Sequence, residues 1–159
     1  MISSPEWVVA LNELMPVIKE QLAADKTVTN FLPRGISMLP MIRQGRDTVE
    51  LSPLPEGKLK KYDLPLYQRD DGQYVLHRIV KVGEHYTCVG DNQFELEYPV
   101  RHDQLIAIVT AFTRNGKRME VTAWHHRLYC RFWHLSRPVR KVFRWLWKGT
   151  KCRVKRMFT

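Results

Sequence analysis

The chain has 159 residues, 44% hydrophobic and 26% charged, with a formal net charge of +10. That balance excludes wholesale disorder and supplies enough apolar mass for one cored domain with an appendage. Residues 124–159 hold 11 of the 26 Lys/Arg and no Asp/Glu, so the 15 basic residues before them nearly cancel the 16 acidic ones, and charge-based arguments about partners concern the tail alone.

The first predicted element is an amphipathic helix within residues 1–26. Ser4 suits the N-cap, Pro5 the first helical position and Glu6 the helix dipole. Trp7, Val8, Leu11, Leu14, Met15, Ile18 and Leu22 then recur at steps of three and four, with Pro16 expected to kink or split the helix. It reads as a helix packed on the body, with a substrate-recognition lid as the sharper alternative.

From 27 to 123 the pattern changes to short strands: Thr27–Phe31, Thr48–Ser52, Leu64–Gln68, Tyr74–Val82, Tyr86–Val89, Leu105–Arg114 and Lys117–Thr122. Asp70-Asp71-Gly72-Gln73 and Asn115-Gly116 supply turns. The expected class is mainly β (α+β), an antiparallel, barrel-like unit.

Residues 124–159 return to helical spacing. Trp124, Leu128, Phe132 and Leu135 form one apolar line, and Val139, Val142, Phe143 and Leu146 a second beyond Ser136-Arg137-Pro138. Two basic amphipathic helices with a proline joint are predicted. Trp133, Arg140, Lys141, Arg144, Trp145, Trp147 and Lys148 are the candidate contact residues. Three readings stay open for them: an anionic membrane surface, nucleic acid, or docking on the body or a protein partner.

Cys88, Cys130 and Cys152 are scattered without Cys-x-x-Cys spacing, which suits a reducing compartment. Glu6, Glu13, Lys19 and Glu20 argue against a secretory signal in 1–21, and no stretch approaches the about 20 apolar residues of a bilayer span. A cytoplasmic location is expected, with peripheral attachment to the inner face of the membrane through the tail. No cofactor or metal ligand set is predicted.

The chemistry centres on Ser37, framed by Gly35, Ile36, Met38, Leu39 and Pro40. A serine hydroxyl needs an adjacent base at neutral pH, and histidine is the natural one. Of six histidines, three lie in the tail and two beside turns; His77 alone sits in a strongly β-patterned run. Taken singly, a strand histidine also has a structural reading, and Gly90-Asp91-Asn92 reads as a turn with an Asx hydrogen bond.

The ordered set is more specific. Ser37-Met38-Leu39-Pro40 resembles the Ser-Met-x-Pro nucleophile box of the signal peptidase and LexA-type repressor clan of serine peptidases. Gly45–Leu51 resembles that clan's glycine-aspartate turn and second strand with Arg46 inserted, and Leu59–Tyr67 its next turn and strand with Tyr62 where a glycine is usual. Tyr74–Val80 resembles the strand of the general base, and Gly90-Asp91-Asn92 the glycine-aspartate-asparagine box; the resemblance covers about residues 28–112.

The resemblance implies a serine endopeptidase in which Ser37 forms an acyl-enzyme, His77 is the base, as in the endoplasmic-reticulum and archaeal branch, and Asp91 orients it. Gly35 stands where many signal peptidases carry an oxyanion-stabilising serine, so the backbone N–H groups of Ser37 and Ile36 are expected to serve. The implied substrate is an extended peptide or leader-like segment added to a sheet edge. A LexA-like self-cleaving regulator and a non-catalytic peptide-binding module on the same fold are the alternatives. The membrane reading of the tail draws on the same resemblance.

Overall fold

The computed structural model describes residues 11–145. Ser4, Pro5, Trp7 and Val8 at the expected start of the first helix, and Trp147 and Lys148 in the tail, lie outside the described residues.

Helix α1 (Leu11–Ala23) turns Met15, Ile18 and Leu22 inward at steps of three and four, while Leu14 and Val17 face water. Pro16 lies inside α1 without splitting it. The proline is on the exposed side, where water can take the carbonyl that its missing N–H leaves unbonded. The helix stops on Asp25, whose φ of 57° lets Lys26 N–H reach Gln21 O and Asp25 N–H reach Leu22 O.

Among the described residues nine strands follow: β1 (Val28–Phe31), β2 (Thr48–Ser52), β3 (Pro65–Gln68), β4 (Tyr74–Leu76), β5 (Arg78–Val82), β6 (Tyr86–Val89), β7 (Glu97–Val100), β8 (Leu105–Arg114) and β9 (Lys117–Glu120). The larger sheet runs β1-β2-β8-β3-β4, with β9 also on β8; the smaller runs β5-β6-β7, and every pairing is antiparallel. The β8–β9 hairpin turns at Asn115-Gly116, both at positive φ, as that dipeptide predicts.

The expected barrel-like closure is absent among the described residues: there are two open sheets. The cause lies in the segment expected to be one strand, Tyr74–Val82. Its first part, β4, pairs only with β3, and its second, β5, leaves for the other sheet. The switch falls on His77, which belongs to neither. No ladder therefore joins β4 to β1, and the free edge of β4 stays open.

Long strand β8 ties the core together. Leu105, Ala107, Val109 and Ala111 are buried at every second position. Beneath α1, Met15, Ile18 and Leu22 pack with Val49, Leu51, Leu66, Val109 and Phe112, and Met38, Met41 and Ile42 join the same cluster. A second cluster of Leu59, Tyr67, Ile79, Tyr86, Cys88 and Val100 fills the space against the smaller sheet. Helix α2 (Trp124–Leu135) then lays His126 and Cys130 inward, with the His126 ring 5.7 Å from that of Phe112. Helical turns resume at 137–145 after a turn at Ser136.

Candidate active site

His77 sits where the chain passes between sheets, only 4% exposed. Its Nδ1 lies 3.2 Å from Glu97 Oε2 and 3.3 Å from the Tyr67 hydroxyl. Tyr67 itself donates to Glu97 Oε2 at 2.7 Å, and Arg69 grips both carboxylate oxygens through Nε and Nη2. With three donors converging on it, Glu97 is an acceptor throughout, so Nδ1 carries the proton and donates to it. Nε2 is left as the nitrogen with a lone pair. That tautomer can accept a proton from a nucleophile.

The charges fit that role. Burial lowers the pKa of His77, and the Glu97 carboxylate pulls only partly against it, so the ring is neutral and basic near neutral pH. Burial also works against ionising Glu97, but hydrogen bonds from Arg69 and Tyr67 outweigh it and hold the carboxyl below its usual range. Desolvation keeps the Tyr67 hydroxyl protonated as a donor.

Ser37 reaches the same place from the β1–β2 connection. Gly35, at φ 90°, starts the turn, a conformation side-chain-bearing residues rarely adopt. Ile36 is exposed, and Met38 is buried in the core under α1, so the residue after the serine anchors the loop. Ile42 N–H bonds Met38 O, and Arg114 donates to Pro40 O. Among the described residues, no protein acceptor takes the Ile36 or Ser37 N–H, so both remain candidates for an oxyanion hole. Ser37 and His77 border one cavity of about 200 Å³, walled on one side by residues 33–35, Ser37 and Met38 and on the other by Tyr74, Val75 and Leu76. The loop and base are brought together, without a hydrogen bond between Ser37 Oγ and the ring.

Asp91, expected to orient His77, is elsewhere. Its carboxylate takes Nε and Nη2 of Arg78 at 2.9 Å each, with both side chains fully buried, and His134 Nε2 lies 3.3 Å away. Desolvation alone would raise its pKa, but Arg78 holds it below the ordinary carboxylate range. Successive residues of the switch segment thus face different acids, His77 to Glu97 and Arg78 to Asp91. Asp91 is paired with Arg78 and not with His77, and the carboxylate on His77 Nδ1 is that of Glu97. Three other aspartates are also engaged, Asp47 with Arg43, Asp63 with Lys60 N–H, and Asp103 with Arg101.

The Gly90-Asp91-Asn92 turn supports the Ser37 loop directly. Asn92 N–H donates to Ser37 O at 2.8 Å, and its side-chain amide to Ile36 O at 3.2 Å. A Cβ on Gly90 would stand 2.7 Å from Ser37 O and 3.0 Å from Ser37 Cβ. Tyr62, in the place where a glycine was expected, has φ 79°; its ring stacks on His134 at 5.8 Å, a contact glycine cannot make.

The tail residues divide. Trp133 Nε1 donates to Asp91 O at 2.7 Å, and Arg140 lies 3.7 Å over the Trp133 ring while also reaching Asp91 O. Arg144 contacts Asn92 and lies 5.2 Å over Phe94, and Arg137 donates to Phe94 O. These four dock on the turn that supports Ser37, while Lys141 and Trp145 face outward.

Glu97 was not among the sequence candidates. The signal against it was Pro99, which in Glu97-Tyr98-Pro99-Val100 argues against a strand; β7 nevertheless forms as an edge strand, where a missing N–H is tolerated. Among the described residues, no His/Cys/Asp/Glu cluster is arranged to hold a metal ion, and no helix is long and apolar enough to cross a membrane. No protein-family model matches the chain, and no curated protein or solved structure is significantly similar to it.

Proposed function

We propose that this chain is a serine endopeptidase of the signal peptidase and LexA-type kind, with Ser37 as nucleophile, His77 as general base and Glu97 as the acid that orients it. The observation that carries this reading is the His77 ring, tautomer-fixed by Glu97 on Nδ1 and bordering the cavity that Ser37 also borders. Ser37 Oγ attacks a peptide carbonyl as Nε2 takes its proton. The proton then passes to the leaving amine, and water, activated by the same nitrogen, hydrolyses the acyl-enzyme. The Ile36 and Ser37 N–H groups face the developing oxyanion.

An extended peptide fits between residues 33–35 with Ser37 and the open edge of β4, where its backbone takes up the unpaired groups of that strand. Met38, Ile42 and Leu76 give the cavity an apolar wall. The substrate class is a peptide or leader-like segment held extended through the scissile bond.

A fluorophosphonate probe tests the assignment. Wild type labels covalently, while Ser37→Ala does not and His77→Ala labels at a small fraction of the rate. Equal labelling of wild type and Ser37→Ala removes the enzyme and leaves a peptide-binding module on the same fold.

A further inference from the structure

Helix α2 and the turns at 137–145 present two opposite faces. The inner one holds His126, Cys130 and Trp133, with Arg137, Arg140 and Arg144 continuing it onto the 91–94 turn. The outer one is a row of Trp124, Leu128, Phe132, Leu135, Val139 and Val142, each 44–76% exposed. At about 100° per residue these six fall within an arc of roughly 80°. Across the turn at Ser136, Ser136 N–H bonds Phe132 O and Arg140 N–H bonds Ser136 O, so the row carries on from α2 into the turns at 137–145. Six large apolar side chains in line exceed the scattered exposure of an ordinary surface.

We propose that this outer face lies on an anionic bilayer, as an interfacial helix parallel to the membrane plane. The charge of the segment is the complement of such a surface: 11 Lys/Arg and no Asp/Glu in residues 124–159. Arg127 and Arg131 are exposed beside the row, placed to meet headgroups as the apolar side chains enter the acyl boundary. Exposed Trp124 and Trp145, near the two ends, have the ring type that anchors helices at the water–lipid boundary.

Nucleic acid fits less well. Arg137, Arg140 and Arg144 are committed to Asp91, Asn92, Phe94 and Trp133, and the face that remains is mainly aliphatic, which phosphate and bases do not bury. A second copy docked face to face would set the cationic margins against each other. Docking on lipid instead places the Asp91 turn, and with it Ser37, about one helix diameter, roughly 10 Å, above the surface.

The test is vesicle flotation of the full chain, whose readout does not depend on Ser37 chemistry. Wild type should float with phosphatidylglycerol-rich vesicles and stay down with phosphatidylcholine alone. The triple variant Phe132→Glu, Leu135→Glu, Val139→Glu should lose about tenfold or more of that binding. Val17→Glu, at another exposed apolar site, should keep it. Circular dichroism that matches wild type shows that the triple variant is folded. Overturning results are a wild type that never floats, a folded triple variant that floats equally, or a wild-type dimer that the triple variant converts to monomer. Fluorophosphonate labelling is scored separately, so loss of the peptidase reading leaves the lipid result intact.

Discussion

The His77 Nδ1 and Glu97 Oε2 atoms stand 3.2 Å apart, while the next side chain, Arg78, closes a bidentate pair with Asp91 on the opposite side of the chain. One acid fixes the tautomer of a base; the other neutralises a cation with no access to water. The two acids should therefore fail differently when their charges are removed.

Glu97→Gln should fold and lose activity. Glutamine cannot accept from Tyr67, Arg69 and His77 together, so the Nδ1 proton is no longer secured, and the analogous loss in a serine triad costs up to about 10⁴ in rate. Asp91→Asn should instead destabilise by about 3–5 kcal/mol, because it leaves the Arg78 guanidinium buried against an uncharged partner. Fluorophosphonate labelling rates and thermal melts separate the two. A stable, unlabelled Asp91→Asn beside a fully active Glu97→Gln would return the orienting role to Asp91.

The pH profile follows from His77. Its neutral form is the base, and its pKa in the fold lies below the ordinary histidine value, so kcat/KM should rise with pH along a limb centred below about 6.5. The stability linkage has the same sign. Keeping this ring neutral contributes stability fully present above the unfolded value, about 6.5, and lost as pH falls through the lower folded value. Because the Glu97 charge raises the pKa, the residual activity of Glu97→Gln should titrate at still lower pH. A limb at or above 6.5 in wild type would show that the ring is not desolvated in the working enzyme.

Gly90→Ala probes the contact between the turn and the nucleophile. The strain is steric, since φ at Gly90 lies outside the left-handed region: a methyl meets the Gln93 side-chain amide, which can swing aside, and the Ser37 carbonyl and Cβ. The two Ser37 atoms cannot rotate away, so the loop must move. A displacement near 1 Å should lower the labelling rate about 10²-fold while the melting temperature changes little. An unchanged rate would mean that the loop shifts freely without cost to the site.

Much of the site was legible because its parts are local. The Gly35–Pro40 turn, the β-patterned run around His77 and the Asn115-Gly116 hairpin each carry their signal within a few residues. The acid did not, for two reasons. Glu97 lies in a strand that contains Pro99, tolerated only because β7 is an edge, and edge position is a tertiary fact. Asp91 is expected beside His77 only from the resemblance of Gly90-Asp91-Asn92 to a family box, and the β pattern of Tyr74–Val82 says nothing of the break at His77, where the sheets part and Arg78 takes Asp91 as its acid. Closure into a barrel was misjudged for the same reason. The amphipathic spacing of the tail was readable, but which face docks depended on finding an acceptor, Asp91 O, for the Trp133 indole.

Trp133 joins the tail to the β body and gives the last prediction. Trp133→Phe removes the 2.7 Å bond to Asp91 O and weakens the stacking of Arg140, interactions worth together about 1–3 kcal/mol. In a domain of this size that lowers the melting temperature by roughly 2–10 °C. Asp91 lies between Gly90, which touches Ser37, and Asn92, which holds Ser37 O, so the loss should also slow labelling of Ser37 well below the melting transition. Trp124→Phe, on the outer face of the same helix, should change neither the melt nor the labelling rate, because its ring is 76% exposed and touches no part of the turn. A Trp133→Phe protein that melts early yet labels at the wild-type rate would confine the tail to a stabilising role and leave the Ser37 loop supported by the Asn92 hydrogen bonds alone.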